Sequence, residues 1–383
     1  MKIGILTLPL HSNYGGILQA WALQSILREM RHEVVIIDRD YATPTGNNKT
    51  LWYKVASQIK KQFLILIGRR KRFLKPSSEL VQYSEQNLNH FYSDHLDTSP
   101  KFRNNNDFLL YVNQNHFDAY IVGSDQVWRP KYSPDLMTYF LDFLQKDNKT
   151  KKIVYAASFG VDKWELSKEE TDKAKRLAPL FNLITVREAS GVGLVRHYLN
   201  CNSTHVVDPT LLKKKEDYIN LIEQSSVKLQ KSKGELFCYI LDDSKEARSF
   251  IYTCTKETSY KPFYCKSRSI WNIKKDDNIE NCIIPPVEQW LKSFLDAQLV
   301  ITDSFHGIIF SMIFNKPFWV ITNKNRGPAR ITSLLNQFNL EHRILSDTTC
   351  VNYNSPIDWK YINDTMDALS KKSKDILTSS LSK

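Results

Sequence analysis

KIGILTLPLHSNYGGILQAWALQSILREMRHEVVIID, residues 2–38, decides the fold. KIGILTL (2–8) is a short apolar run of strand character, and PLHSNYGG is a loop by its Pro, Asn and Gly content. ILQAWALQSILREM (17–30) places apolar residues at helical spacing, and EVVIID (33–38) is a second, β-branched run. Strand, helix and strand in this succession form a βαβ unit, which requires a parallel sheet and puts ligands at the carboxyl ends of its strands. The NYGG loop falls at such an end.

The alternation continues outward. After a polar, helix-forming stretch from about 77 to 116, FDAYIVGSDQVW (117–128), KKIVYAASFG (151–160) and LITVREASGVGLV (183–195) each run from a buried strand into a polar segment. THVVDPTLL (204–212) closes this half at an Asp-Pro-Thr turn. KKKEDYINLIEQSSVKLQKSKG (213–234) is polar and partly helical, the composition of a boundary region. Strand and helix patterns then resume in ELFCYIL (235–241), DDSKEARSFIYTCTKE (242–257), PPVEQWLKSFLDA (285–297), QLVIT (298–302), HGIIFSMIF (306–314), KPFWVIT (316–322) and PARITSLLNQF (328–338). Trp359, Ile362, Met366 and Leu369 mark a terminal amphipathic helix. A chain of 383 residues exceeds the usual span of one core. The reading is α/β: two Rossmann-like doubly wound domains, 1–212 and 213–345, facing a cleft, with a basic insertion at 46–103 and a helix within 346–383 that packs back on the first domain.

The net charge is +12, and nine Lys or Arg with no Asp or Glu lie between Lys49 and Lys75, interleaved with Trp52, Tyr53, Phe63 and Phe73. Such a segment suits an anionic membrane surface or a phosphate-bearing acceptor, and equally a solvated helical insertion. No RRM, KH or zinc-finger pattern supports nucleic-acid binding. The N-terminus lacks a signal-peptide pattern, and no apolar run reaches the roughly 18 residues of a spanning helix. Cys201, Cys238, Cys254, Cys265, Cys282 and Cys350 show neither a C-x-x-C pair nor zinc spacing. The expectation is a cytoplasmic protein with reduced thiols and no metal, peripheral to the inner face of the cell membrane if 49–75 binds there.

Dinucleotide, P-loop, nucleophile-elbow and zincin motifs are absent from the sequence. Polar residues at predicted strand ends remain: Asn13, Tyr14, Gly15 and Gly16; Asp125 and Gln126; Ser158; Arg187; and Ser304, Phe305, His306 and Gly307. His306 opens a helix whose free N–H groups suit a phosphate or carboxylate, and Gly307 would let that ligand approach the backbone. Arg187 follows an apolar run, so it must pair with Glu188 or Asp208 or meet an anionic ligand. Arg326 and Arg330 flank the next predicted helix and could add charge to the same cleft.

NYGGILQAWAL, VGSDQVW, YAASFG, TVREASG, VVDPTLL, VITDSFHGIIFSMIFNKPF and the following R-x-x-x-R-I-x-x-L-L resemble, in that order, the polysaccharide pyruvyl transferase family. The resemblance implies a glycosyltransferase-B-like fold and transfer of pyruvyl from phosphoenolpyruvate, as co-substrate and with no cofactor, to a sugar as a ketal. The acceptor would be a cell-surface polysaccharide or its lipid-linked precursor. It implies His306 as the acid/base group, since histidine ordinarily titrates near neutrality. Arg187, Ser304, Phe305, Gly307, Arg326 and Arg330 fall on the donor side, and Asn13 to Gly16, Asp125, Gln126 and Ser158 on the acceptor side. Ser304 and Phe305 stand where some members carry arginine and leucine, so either Arg326 or Arg330 would supply the missing cation or the donor differs. A nucleotide-sugar transferase of the same fold and a non-catalytic assembly partner are the other readings.

Overall fold

The computed structural model describes residues 1–10, 12–40, 76–133, 135–272, 278–322, 328–345 and 351–382. The basic segment 49–75, Arg326 and Cys350 lie outside them.

The first sheet is wholly parallel and has six strands: β1 (Lys2–Leu6), β2 (Glu33–Ile36), β3 (Ala119–Val122), β4 (Lys151–Ala157), β5 (Leu183–Val186) and β6 (Thr204–His205), in the order β2-β1-β3-β4-β5-β6. The second, also parallel, has β7 (Leu236–Tyr239), β8 (Pro262–Phe263), β9 (Leu299–Thr302), β10 (Phe318–Ile321) and β11 (Ile344–Leu345), in the order β11-β10-β9-β7-β8. Each order reverses once, between β1 and β3 and between β7 and β9, and ligand crevices form at such reversals. The two-residue strands β8 and β11 are too short to leave a periodic signal in sequence.

Helix α1 (Tyr14–Glu29) fills the first crossover and buries Ile17, Leu18, Leu23, Ile26 and Leu27. It ends because Arg31 turns left-handed, φ 64°, with Arg31 N–H on Arg28 O and His32 N–H on Leu27 O satisfying the last carbonyls. The described part of the expected insertion is no free-standing appendage. Helices α2 (Ser78–Ser84) and α3 (Gln86–His95) reach the second domain, where Ile284 N–H donates to Ser84 O and Asn87 Nδ2 to Ile284 O. Helix α4 (Asn105–Gln114) precedes β3, and α5 (Lys168–Leu177) carries a Ser167/Glu170 capping box. Helix α6 (Ala189–Leu194) follows β5.

The segment read as a boundary holds α7 (Lys215–Glu223), whose buried Tyr218 packs on Trp21 of α1 and edge-on against Phe310. Helices α8 (Lys245–Thr258), α9 (Val287–Asp296), α10 (Phe305–Ile313) and α11 (Pro328–Gln337) complete the second domain. Helix α12 (Trp359–Ser382) starts beside that domain, with Asn339 Nδ2 donating to Tyr361 Oη, and finishes on the first. There Val207 N–H donates to Ser373 Oγ and Lys151 Nζ to Leu381 O. One apolar core runs through Ile3, Ile17, Val207, Tyr218, Phe310, Val320 and Leu377, and so joins both domains. Among the described residues no helix is long and apolar enough to cross a membrane, no group of His, Cys, Asp or Glu could hold a metal ion, and the five described cysteines are free thiols.

Candidate active site

The crevices of the two sheets face one another, and His306 stands at their meeting point. Helix α10 follows β9, with Ser304 as its N-cap accepting from Gly307 N–H at 3.3 Å. The Ser304 hydroxyl thus caps the helix and keeps its own proton to donate. At Gly307 a Cβ would lie 2.2 Å from Thr302 Oγ1, so the missing side chain makes room for the helix to pack on its own strand. Asp303 anchors the loop by accepting from Leu241 N–H and Asp242 N–H at 2.7 and 2.9 Å.

From the opposite domain, α1 presents its N-terminus. Asn13, its N-cap, makes no side-chain cap; its Nδ2 donates instead to Asp125 Oδ2 at 3.3 Å. A Cβ on Gly15 would fall 2.0 Å from His306 Nδ1 and 2.2 Å from Cγ, so the imidazole rests directly on the first turn of α1 and only glycine fits. Tyr14 joins the domains, its Oη donating to Pro285 O at 2.9 Å and its ring stacking on Trp290.

On its other side, His306 Nε2 lies 3.6 Å from Asp208 Oδ2, an ion-pair separation longer than a hydrogen bond. The Asp208 side chain is wholly buried. Its Oδ1 accepts from Thr210 N–H and Oγ1, and its Oδ2 from Ser124 Oγ and Arg187 Nη1 at 3.0 and 2.7 Å. Burial alone would raise this carboxyl, but His306 and Arg187 outweigh it and hold Asp208 well below the usual carboxylate range. Asp208 is the functional residue that sequence reasoning missed as such; it entered only as a salt-bridge partner, although an aspartate before Pro-Thr at a strand end is a known side-chain-to-backbone turn.

Arg187 is buried and paired, to Asp208 and, at 3.4 Å, to Asp125. Burial opposes its charge, while Asp208, Asp125 and Glu188 raise its pKa above the ordinary value. Its guanidinium also lies 4.4 Å from the centre of the Phe305 ring, with Arg330 at 5.8 Å from the same ring. Phe305 therefore brings the two arginines together. Burial and then Arg187 lower Arg330 to about 10, the mark of cations crowded in a low-dielectric site. Glu188 is raised by burial against Arg187, and its Oε1 accepts from Phe159 N–H and Gly160 N–H at 2.6 and 3.2 Å.

Asp125 adopts φ 73°, a strained conformation for a non-glycine residue, at the end of β3. A bulge in β4, with Ala156 at φ 55° and a register shift between Val154 and Ala157, sets Ser158 beneath the site, where its Oγ accepts from Gly160 N–H. Gln126 Oε1 accepts from Arg129 Nη1 at 3.0 Å, and Arg129 pairs with Glu165. Ser158 and Gln126, both expected to meet an acceptor, are thus engaged within the protein. His306, Arg187, Arg330, Phe305, Asp125, Asn13 and Gly15 converge, and a cavity of about 450 Å³ opens beside them between Ser12 and Tyr14 and the end of β7 at Tyr239 to Leu241.

Two parallel-sheet domains with facing crevices define a glycosyltransferase-B-like, Rossmann-like architecture, and the family match that follows makes the protein a transferase. The chain belongs to the polysaccharide pyruvyl transferase family, whose model matches residues 13–325. Among solved structures it is similar to UDP-GlcNAc 2-epimerase from Neisseria meningitidis bound to UDP-GlcNAc, with 10% identity over 100% of this chain and 99% of that one and a TM-score of 0.51. It is also similar to UGT89C1 from Arabidopsis thaliana complexed with UDP-L-rhamnose, with 8% identity over 98% of each chain and a TM-score of 0.50. At these identities the likeness is one of fold. No curated protein matches the sequence.

Proposed function

We propose that the protein transfers the pyruvyl group of phosphoenolpyruvate to two hydroxyls of a saccharide, forming a cyclic ketal and releasing phosphate. The observation that carries this reading is His306, lodged between the buried Asp208 carboxylate and the uncapped N-terminus of α1. An imidazole so placed can relay a proton while helix N–H groups take up negative charge. In the reaction one hydroxyl adds to C2 of the enol ester as C3 gains a proton and becomes methyl. The second hydroxyl then closes the ketal as the C2–O–phosphate bond breaks, and its proton leaves with phosphate. Two hydroxyl protons are lost, one to carbon and one to phosphate, so the transfer needs no oxidant and no net acid. His306 holds the proton in transit and Asp208 orients it.

A second reading, transfer from a nucleotide sugar, is favoured by one feature. Arg187 is already matched by Asp208 and Asp125, which leaves less positive charge for a multiply charged enol phosphate. The folds bound to UDP-sugars named above are consistent with it. Calorimetry of the full chain separates the two. Phosphoenolpyruvate binding, together with saccharide-dependent phosphate release lost in His306→Gln, is expected; binding of a UDP-sugar with none of phosphoenolpyruvate would reverse the order of the readings.

A further inference from the structure

A second cavity, of about 680 Å³, runs along the edge strand β8. Lys228, Lys231, Lys233, Lys261 and Lys266 line it, with no Asp or Glu. Two nearby carboxylates are bonded to the backbone of lining residues: Asp296 accepts from Ser232 N–H and pairs with Lys292, and Glu235 accepts from Lys261 N–H. Phe263, Cys265 and Pro285 form an apolar floor under this cationic rim. Cys265 and Lys266 also line the 450 Å³ cavity beside the active site, and that cavity reaches Tyr14, the neighbour of the glycine on which His306 rests. The groove and that cavity therefore share a wall, close to the first turn of α1.

Like charges gathered on one wall repel each other and draw anions, and a low-dielectric floor strengthens the field above it. Cations strung along an open groove match an extended ligand carrying several negative groups better than a single small ion. We propose that this groove binds an acidic glycan, a saccharide chain bearing carboxylate or phosphate groups, whose hydroxyl-bearing sugar enters the cleft. The identity of the ligand as acceptor rests on the reading under Proposed function. Ketal formation adds a carboxylate to the sugar it modifies, so under that reading a chain already modified at one unit binds more tightly than an unmodified one.

The test is a titration of the full chain, at low and at physiological salt, with four probes. These are an oligogalacturonate, a prenyl diphosphate sugar, a neutral oligosaccharide of equal length, and single-stranded RNA of equal charge. The protein is compared with K231Q/K233Q/K261Q and with a control, K168Q/K173Q/K175Q, on α5. Tighter binding of an acidic saccharide than of the neutral one is expected, weakened about tenfold in the groove variant at low salt and unchanged in the control. Preference for the oligogalacturonate places the charge along the chain, and preference for the diphosphate places it at the carrier end; either supports the proposal. Equal affinity of parent and groove variant, equal affinity for neutral and acidic saccharides, failure to bind any of the saccharides, or tighter binding of RNA overturns it. Lysine-dependent glycan binding without phosphate release from phosphoenolpyruvate leaves this inference standing and removes the pyruvyl-transfer reading, whereas the converse result removes only this one.

Discussion

Asp208 carries more of the site than its neighbours, because it is the shared partner of Arg187, Ser124, Thr210 and His306. Asp208→Asn takes from the buried Arg187 the closer of its two carboxylate partners and leaves Asp125 at 3.4 Å, and loss of one partner of a buried pair costs about 3–5 kcal/mol. His306→Gln leaves Arg187 and Asp208 together, so its fold should survive while phosphate release falls by about 10²- to 10⁴-fold. Urea denaturation beside steady-state kinetics checks the split: the first variant is expected to lose stability and the second activity alone. Gly15→Ala forces a methyl onto the imidazole and is expected to cost about 1–3 kcal/mol and to lower kcat. The two buried carboxyls act oppositely with pH. Asp208 is held low, so its contribution is complete above the unfolded value of about 3.9 and is lost only as pH falls through its lower folded value. Glu188 is held high, so its contribution is complete below about 4.3 and declines as pH rises through the raised folded value. Glu188→Gln should therefore cost more stability at pH 5 than at pH 8, as urea midpoints at the two values will report.

At the scale of elements, the helix after β9 depends on one hydroxyl. Ser304→Ala removes the α10 cap and should cost about 1 kcal/mol by thermal melting, with a modest fall in kcat through His306. The same helix shows what the sequence disclosed and what it withheld. The runs around VITDSFHGIIFSMIF announced a buried strand, a tight loop and a buried helix, because burial on all sides leaves continuous apolar composition at both. The parallel sheets and the place of His306 at a strand-to-helix junction were legible for that reason. The role of Gly307 was not, since the partner that excludes a side chain is Thr302 Oγ1, and composition is blind to such a clearance. Nor was the fate of Tyr14, whose partner Pro285 lies on the other domain. Asp208 escaped because its three roles arise only when β3, β5 and α10 are brought together.

At the scale of the whole molecule the domains are fastened at several points: Tyr14 to Pro285, Asn87 to Ile284, Trp21 to Tyr218, and α12 across both. A chain ending before Trp359 would expose the surfaces that bury Ile362, Leu377 and Leu381. Each such side chain is worth about 1.5–3 kcal/mol when fully buried, so the truncated chain is expected to be largely insoluble or to lose its cooperative melting transition. Helix α12 also bears on how the protein is made. The first sheet is complete in sequence at His205, yet the partner of Val207 N–H lies 166 residues further on, at Ser373, and the carbonyl bound by Lys151 belongs to Leu381. Domains usually fold as they leave the ribosome. Here the first one emerges with an uncovered flank and must wait for the residues of α12 to be translated before that flank is closed.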